Sequence, residues 1–343
     1  MSRALIVSRA APGMTVQDLG RPGYLRFGLS RGGAADRSAL VEAGALLGQD
    51  QGLAAIEMTS VGGTFEATED VRIALTGAPM RATLDGARLA WNASHLLPAG
   101  VPLVIGPAEE GTYGYLSVGG GLSTPEILGS RSAHLTAGIG GAIESGAELP
   151  VGPDGGTTVN MALSDGGAAR RVTGPIRIVS SLQTALFPEA ERARFEATVF
   201  HRDARANRMG GRLLSEGEGF AAEAGLTILS EVVVPGDIQI TGDGTPFILS
   251  SECQTTGGYP RIGAVLPSDL PRVVQARPET DLHFVFVTPE EATEIERNET
   301  ARRAGLRQSL VPLVRDPWKM RDLLSYGLVG GVVNAHDADA ISY

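Results

Sequence analysis

At 343 residues the chain is longer than one hydrophobic core normally serves, so two domains are expected. Its 43% apolar content suffices for packed cores, and 46 glycines and 20 prolines between short apolar runs favour many strands and tight turns over a helical bundle. The formal net charge of -10 argues against a polyanionic partner, so neither nucleic acid nor an anionic membrane surface is expected.

Residues 4–7 read as a short apolar strand, and Pro12-Gly13 turn the chain into Thr15-Val16-Gln17-Asp18-Leu19-Gly20-Arg21-Pro22-Gly23-Tyr24, dense in polar groups and turn formers. Gly-Arg-Pro-Gly holds Arg21 on a loop, where its guanidinium is either solvated or forked onto a carboxylate or phosphate. Ser30-Arg31-Gly32-Gly33-Ala34-Ala35-Asp36-Arg37 then leads into a helix whose Ala39, Leu40, Ala43, Leu46 and Leu47 share one face, with Asp36 as N-cap and Gly48 as the stop. Asp36 can serve as a cap alone. The free N–H groups and dipole at the same end can also cradle an anion with Ser30 to Gly33. From Ile56 the period shifts towards two, and 71–77, 101–106 and 112–118 read as strands bounded by glycine and proline. The glycine runs at 119–121 and 138–141 are too irregular for a dinucleotide fingerprint or a Walker loop and read as strand-end turns.

A polar, glycine-rich span at 152–169 precedes a fresh strand at 176–180, and the boundary is placed inside it, giving units at 1–167 and 168–290 and a helical tail at 291–343. A short helix is expected at 188–197. Asn207-Arg208-Met209-Gly210-Gly211-Arg212-Leu213 then sets two arginines around a glycine pair, either a positioned cationic loop or solvated surface charge. Four short strands at 226–229, 232–234, 238–240 and 247–249 run into Gln254-Thr255-Thr256-Gly257-Gly258-Tyr259-Pro260. Its two glycines can present backbone N–H groups closely to a ligand and Pro260 keeps its predecessor out of the helical region, although an ordinary Gly-Pro turn has the same letters. Beyond it, Ser268 is expected to cap a short helix reaching Gln275, 282–287 to form a strand, and 289–304 and 317–327 to be helical. Glu57 five residues before Gly62, and Glu231 five before Gly236, form a faint internal echo suggesting a duplicated barrel.

Lys319 is the only lysine, which leaves none for a P-loop, a well-placed Schiff base or a biotin-attachment motif. The lone Cys253 rules out an intrachain disulfide and paired-cysteine metal sites, as expected of a reducing compartment. A nucleophilic thiol would need a lowered pKa and a nearby base, and no histidine adjoins it. His95, His134, His201, His283 and His336 are scattered without ligand spacing, so no metal site is expected. The first 12 residues lack the longer apolar stretch of a signal peptide and no run reaches membrane-spanning length, so a cytoplasmic protein is expected.

Taken in order, the motifs at 15–20, 30–37, 129–132, 207–213, 236–240 and 254–260 make the chain resemble the biotin-dependent carboxyltransferase family, also called allophanate hydrolase subunit 2 or KipA-like. The match covers residues 3–290, and Gln-Thr-Thr-Gly-Gly-Tyr-Pro with Asn-Arg-Met-Gly are its most specific stretches. The resemblance implies a mostly β fold of two cyclophilin-like β-barrel domains with a few short helices. It implies the C component of an ATP-dependent 5-oxoprolinase that opens the lactam of 5-oxoproline to glutamate. ATP with magnesium would act in the complex, whose partners would be a B component like allophanate hydrolase subunit 1 (KipI-like) and a LamB/YcsF-like A component. Two alternatives come with it: a carboxyltransferase half moving carboxylate from carboxybiotin on a partner to a urea-like nitrogen, and a KipA-type regulatory binding protein. On this resemblance the catalytic candidates are Arg208, Gln254, Glu252 and Asp36, and the substrate-binding candidates are Arg21, Gln17, Thr255, Thr256, Gly257, Gly258 and Tyr259. Arg21 and Arg208 would hold carboxylate or phosphoryl oxygens, the Gly257 and Gly258 amides would polarise the carbonyl, and Asp36 or Glu252 would orient water or a metal-bound phosphate. The chain departs from the family pattern at Gly44, Gln49, Ala142 and Glu252, which bears on whether its substrate is the usual one.

Overall fold

The computed structural model describes residues 3–223, 225 and 228–313, so the helix expected at 317–327 and part of the strand expected at 226–229 lie outside the described residues. The protein is mostly β, and its described helices are α1 (Arg37–Leu47), α2 (Glu189–Ala197), α3 (Leu270–Gln275) and α4 (Pro289–Gly305). None of the described helices is long and apolar enough to cross a membrane.

Two curled sheets built mainly from the first half share one core, in which Leu5, Phe65 and Ile105 of a six-stranded sheet meet Ile56, Ile73 and Leu116 of a seven-stranded one. Val71–Gly77 is buried along its whole length because Tyr113–Val118 and Ala93–Leu97 pair with its two edges and α1 packs beside it. That explains why its apolar run is nearly continuous, with no alternation. The one charge inside it, Arg72, is matched by Asp154 at 2.8 and 2.5 Å. A second seven-stranded sheet runs from His201–Arg202 to Phe284–Phe286 and encloses its own core, where the rings of Phe195, Phe200, Phe220 and Phe284 lie 4.9 to 5.9 Å apart.

The helix boundaries follow local chemistry. Asp36 accepts from Ala39 N at 3.3 Å and Gly48 ends α1 at a φ of 64°, as the sequence leads one to expect. Thr288 and Glu291 form a reciprocal capping box at the start of α4. Ser268 does not cap α3. Asp269 occupies that position, and its carboxylate holds Arg177 at 2.8 and 2.6 Å, a charge-assisted pair that outcompetes a helix N–H. The strand expected at 282–287 is also shorter, Phe284–Phe286.

After α4 the chain returns to the first half, where Leu310–Pro312 pairs with Met161–Leu163. The helix is therefore a strap across the two halves. On the facing side, the loops around Asp18 and Gly33 are locked together: Ala34 N donates to Asp18 O at 2.9 Å and Arg21 N to Arg31 O at 2.8 Å. Gly33 has a φ of +82°, and a Cβ there would lie 2.6 Å from Gly20 N, so only glycine permits this contact.

Candidate functional site

The Asn-Arg-Met-Gly loop carries Arg208 from the second half into the first. All three of its guanidinium nitrogens are used: Nε donates to Glu252 at 2.6 Å, Nη1 to Glu57, and Nη2 to the Gly33 carbonyl at 2.6 Å. Glu57 is fully buried on Ala55–Thr59, where its other oxygen accepts from Ala35 N at 2.8 Å and the Tyr115 hydroxyl at 2.7 Å. The Tyr115 oxygen in turn accepts from Asp36 N at 2.8 Å. Burial by itself would lower the Arg208 pKa, but Glu57 and Glu252 outweigh it and hold the guanidinium above its ordinary value. Burial would raise Glu252, and Arg208 reverses that to leave it below the usual carboxylate range. Burial and then Glu57 push the Tyr115 phenol well above its ordinary value, so it remains a donor.

Asp36 is equally committed. Besides capping α1, it accepts from Arg170 Nε and Gln275 Nε2, both at 2.9 Å, while Arg170 also binds Glu42 within α1. Three distant parts of the chain thus converge on one helix start.

Beside this network, between the halves, lies a cavity of about 400 Å³. The first half supplies Arg21, Ser30, Arg31, Arg37 and Ser38, the second Val233 to Pro235, Ser251 and Leu270, and α4 supplies Arg303. Among the described residues no acidic side chain lines it. Arg21 is fully buried, with Nη2 on Ser132 O at 2.5 Å and Nε on Ile127 O at 3.4 Å, while Nη1 has no partner among the described residues. Arg37 gives Nη2 to Gly32 O at 3.1 Å, and its Nε is likewise buried without a partner. Burial, then the charges of Arg31 and Arg208, pushes the Arg37 pKa down to about 10; burial also lowers that of Arg21. Arg37 has no paired carboxylate, whereas the charges of Asp18 and Glu252 act on Arg21 and Glu299 pairs with Arg303; guanidinium N–H groups beside the start of α1 are chemistry suited to a carboxylate or phosphoryl anion.

The model of the family "Carboxyltransferase domain, subdomain A and B" matches residues 27–286. The chain belongs to this family. The C component of the 5-oxoprolinase of Escherichia coli (strain K12) is 33% identical over 294 residues, 84% of this chain and 93% of the relative. TTHA0988 has a similar structure, with a TM-score of 0.74 and 29% identity over 83% of this chain and 55% of that one. The K. lactis urea amidolyase shares the fold at a TM-score of 0.79 and 23% identity, over 92% of this chain and 21% of that one. The chain thus spans about half the length of one solved relative and a fifth of the other.

The motif-based resemblance therefore holds for the family. Arg37, Glu57, Arg208 and Glu252 lie within its matched residues, whereas Arg21 and Arg303 lie outside them. Arg208 and Glu252 pair with each other, and Asp36 joins the same network through Tyr115, but the Arg208 donors are spent on Glu252, Glu57 and Gly33 O, and the Asp36 carboxylate on Arg170, Gln275 and the helix start. Arg21 reaches the cavity. Gln17 is buried, donates to Thr15 Oγ1 at 3.0 Å and Ala133 O at 3.2 Å, and does not line the cavity. Gln254 donates to Gln239 Oε1 at 3.1 Å, and Thr256–Gly257 pairs with Glu231–Val232, beside Val233, whose N–H donates to Thr255 O at 3.1 Å. This ribbon, with Gly258 and the 42% exposed Tyr259, borders the wall segment Val233 to Pro235 but is not itself on the wall.

Cys253 is buried, and burial followed by Asp237 pushes its thiol up to about 12, so it is no thiolate nucleophile. Among the described residues no group of three or more His, Cys, Asp or Glu side chains could hold a metal ion. Sequence reasoning missed the roles of Glu57, Tyr115, Arg170 and Gln275, because their partners are remote in the chain. Arg31 and Arg37 stood inside a stretch already marked by its glycines and helix start. Arg303 carried no signal beyond being basic in the last turn of a charged helix.

Proposed function

We propose that the protein is the C component of an ATP-dependent 5-oxoprolinase, and that the cavity between its halves binds the anionic amide while its lactam opens to glutamate. The observation that carries this reading is the cavity wall of four arginines with no carboxylate, two of them with unpartnered buried N–H groups. The name of the E. coli relative supports it. Arg21 Nη1 and Arg37 Nε take the carboxylate, and the remaining guanidinium charge stabilises the oxygen on which negative charge develops as the amide bond breaks. Arg208, Glu252, Glu57 and Asp36 are positioning residues: they fix the Gly33 carbonyl and the first turn of α1, and so the direction of Arg37. Gln17, Gln254, Thr255, Thr256, Gly257, Gly258 and Tyr259 take supporting places around that frame.

The residues present do not fit a magnesium–nucleotide complex, because the cavity offers arginines but no carboxylate to hold the metal. In this reading the nucleotide belongs to a partner protein, as would biotin if the reaction were carboxyl transfer.

The test is reconstitution with candidate A and B components and measurement of ATP-dependent glutamate release from 5-oxoproline. Release is expected, and Arg37→Gln should lower it about 100-fold, the usual loss when one preorganised donor to a developing charge is removed. No release from the assembled complex, or release unaffected by Arg37→Gln, would sink the proposal. Bicarbonate-dependent carboxyl transfer from a biotin carrier in the same mixture would replace it with the carboxyltransferase reading.

A further inference from the structure

The cavity holds more positive charge than one carboxylate neutralises, and part of that charge comes from beyond the family's matched residues. Arg21, Arg31 and Arg37 belong to the first half, whereas Arg303 is contributed by α4 after the chain has left the second half's sheet. Arg303 is not a loose surface arginine. Glu299, one helical turn earlier, accepts its Nε at 2.7 Å, and its Nη2 donates to Ser38 Oγ at 3.2 Å in the first turn of α1. Glu299 cannot cancel it fully, because the same carboxylate also holds Arg302 at 2.7 and 3.0 Å. Ser38 follows Arg37, whose Nε is the buried donor without a partner among the described residues, and Arg37 and Arg303 line the same cavity. Leu310–Pro312, paired into the first half's sheet, anchors the far end of the strap.

We propose that Arg303 and Arg37 together read a second negative charge on the ligand, making the cavity a site for small dianions and Arg303 its specificity-determining residue. The inference rests on the cavity being the substrate site, as argued above. 5-Oxoproline carries one carboxylate. The second charge is then either the new carboxylate of glutamate or a phosphoryl group placed on the substrate, and the recognition chemistry, two or three anionic oxygens against paired guanidinium forks, is shared by both.

The full chain, without partners, is titrated calorimetrically with butyrate, glutarate and inorganic phosphate at pH 8. At least one of the two dianions should bind about tenfold more tightly than butyrate, and Arg303→Gln should bring that preference within about twofold by weakening the dianion more than butyrate. Arg307→Gln removes a cation from the same strap whose Nη2 rests on the Gln49 carbonyl at 3.0 Å, away from the cavity, and should keep the preference. Thermal unfolding of each variant checks that the strap stays folded. Tighter binding of glutarate assigns the second group to a carboxylate, and tighter binding of phosphate assigns it to a phosphoryl group. No preference for either dianion, no detectable dianion binding, or a preference that survives Arg303→Gln overturns the proposal. Failure of ring opening in the reconstituted complex leaves the binding ratios standing and sinks only the oxoprolinase reading. Turnover with no dianion preference does the reverse.

Discussion

Arg208 and Arg37 stand on the same interface between the two halves in opposite electrostatic states. Arg208 has a carboxylate on each of two nitrogens and a carbonyl on the third, and is held above its ordinary pKa despite burial. Arg37 has one carbonyl, no carboxylate and two cations nearby, and is pushed down to about 10. A buried cation whose counter-charges come from its own chain is part of the frame, since both charges lose water and recover it only in each other. A cation kept without one retains its unmet attraction for a ligand. Residue type therefore does not separate frame from site, but the state of neutralisation does.

The sharpest way to break this distinction is Arg208→Ala. It strands Glu57 and Glu252 as buried carboxylates and should cost about 3–5 kcal/mol of stability, read from the guanidinium midpoint. A loss below about 1 kcal/mol, the size of an ordinary substitution, would mean Arg208 is not a frame residue. Arg37→Gln should show the converse, a stability change within about 1 kcal/mol with the 100-fold loss of glutamate formation given above. A large destabilisation there would move Arg37 into the frame.

A smaller effect lies in the pH dependence of Glu252. Its folded pKa is below the unfolded value of about 4.3, so its contribution to stability is complete above that value and lost as the pH falls through the folded one. The stability gap between the parent and Glu252→Gln should stay constant above about pH 5 and narrow below about pH 4. A gap unchanged at pH 3 would contradict the pairing with Arg208. The smallest effect is expected at Cys253. Its thiol should resist aromatic disulfide reagents until the protein unfolds, and Cys253→Ala should keep glutamate formation within about twofold. Rapid labelling of the folded chain would show that it is neither buried nor protonated as described.

Much of the architecture was legible in the chain because its causes are local. Alternating and continuous apolar runs marked 71–77 and 112–118, and Asp36 and Gly48 delimit α1 through bonds only a few residues long. Ser268 was misleading because a helix N–H lost Asp269 to Arg177, 92 residues away. The internal echo shows the same limit. Glu57 and Glu231 share a spacing to glycine, yet Glu57 is buried against Arg208 and Glu231 is exposed and holds Arg261 at 2.8 Å.

By itself the sequence determined a mostly β chain of the carboxyltransferase-domain family and two loops, around Gly33 and Arg208, suited to presenting charge. Only the tertiary structure decided which arginines are spent and which remain open. Arg208 meets Glu57 across 151 residues, Gln275 meets Asp36 across 239, and Arg303 meets Ser38 across 265. Charge pairing depends on separation in space and on water removed at the interface, and neither quantity is set by neighbours along the chain.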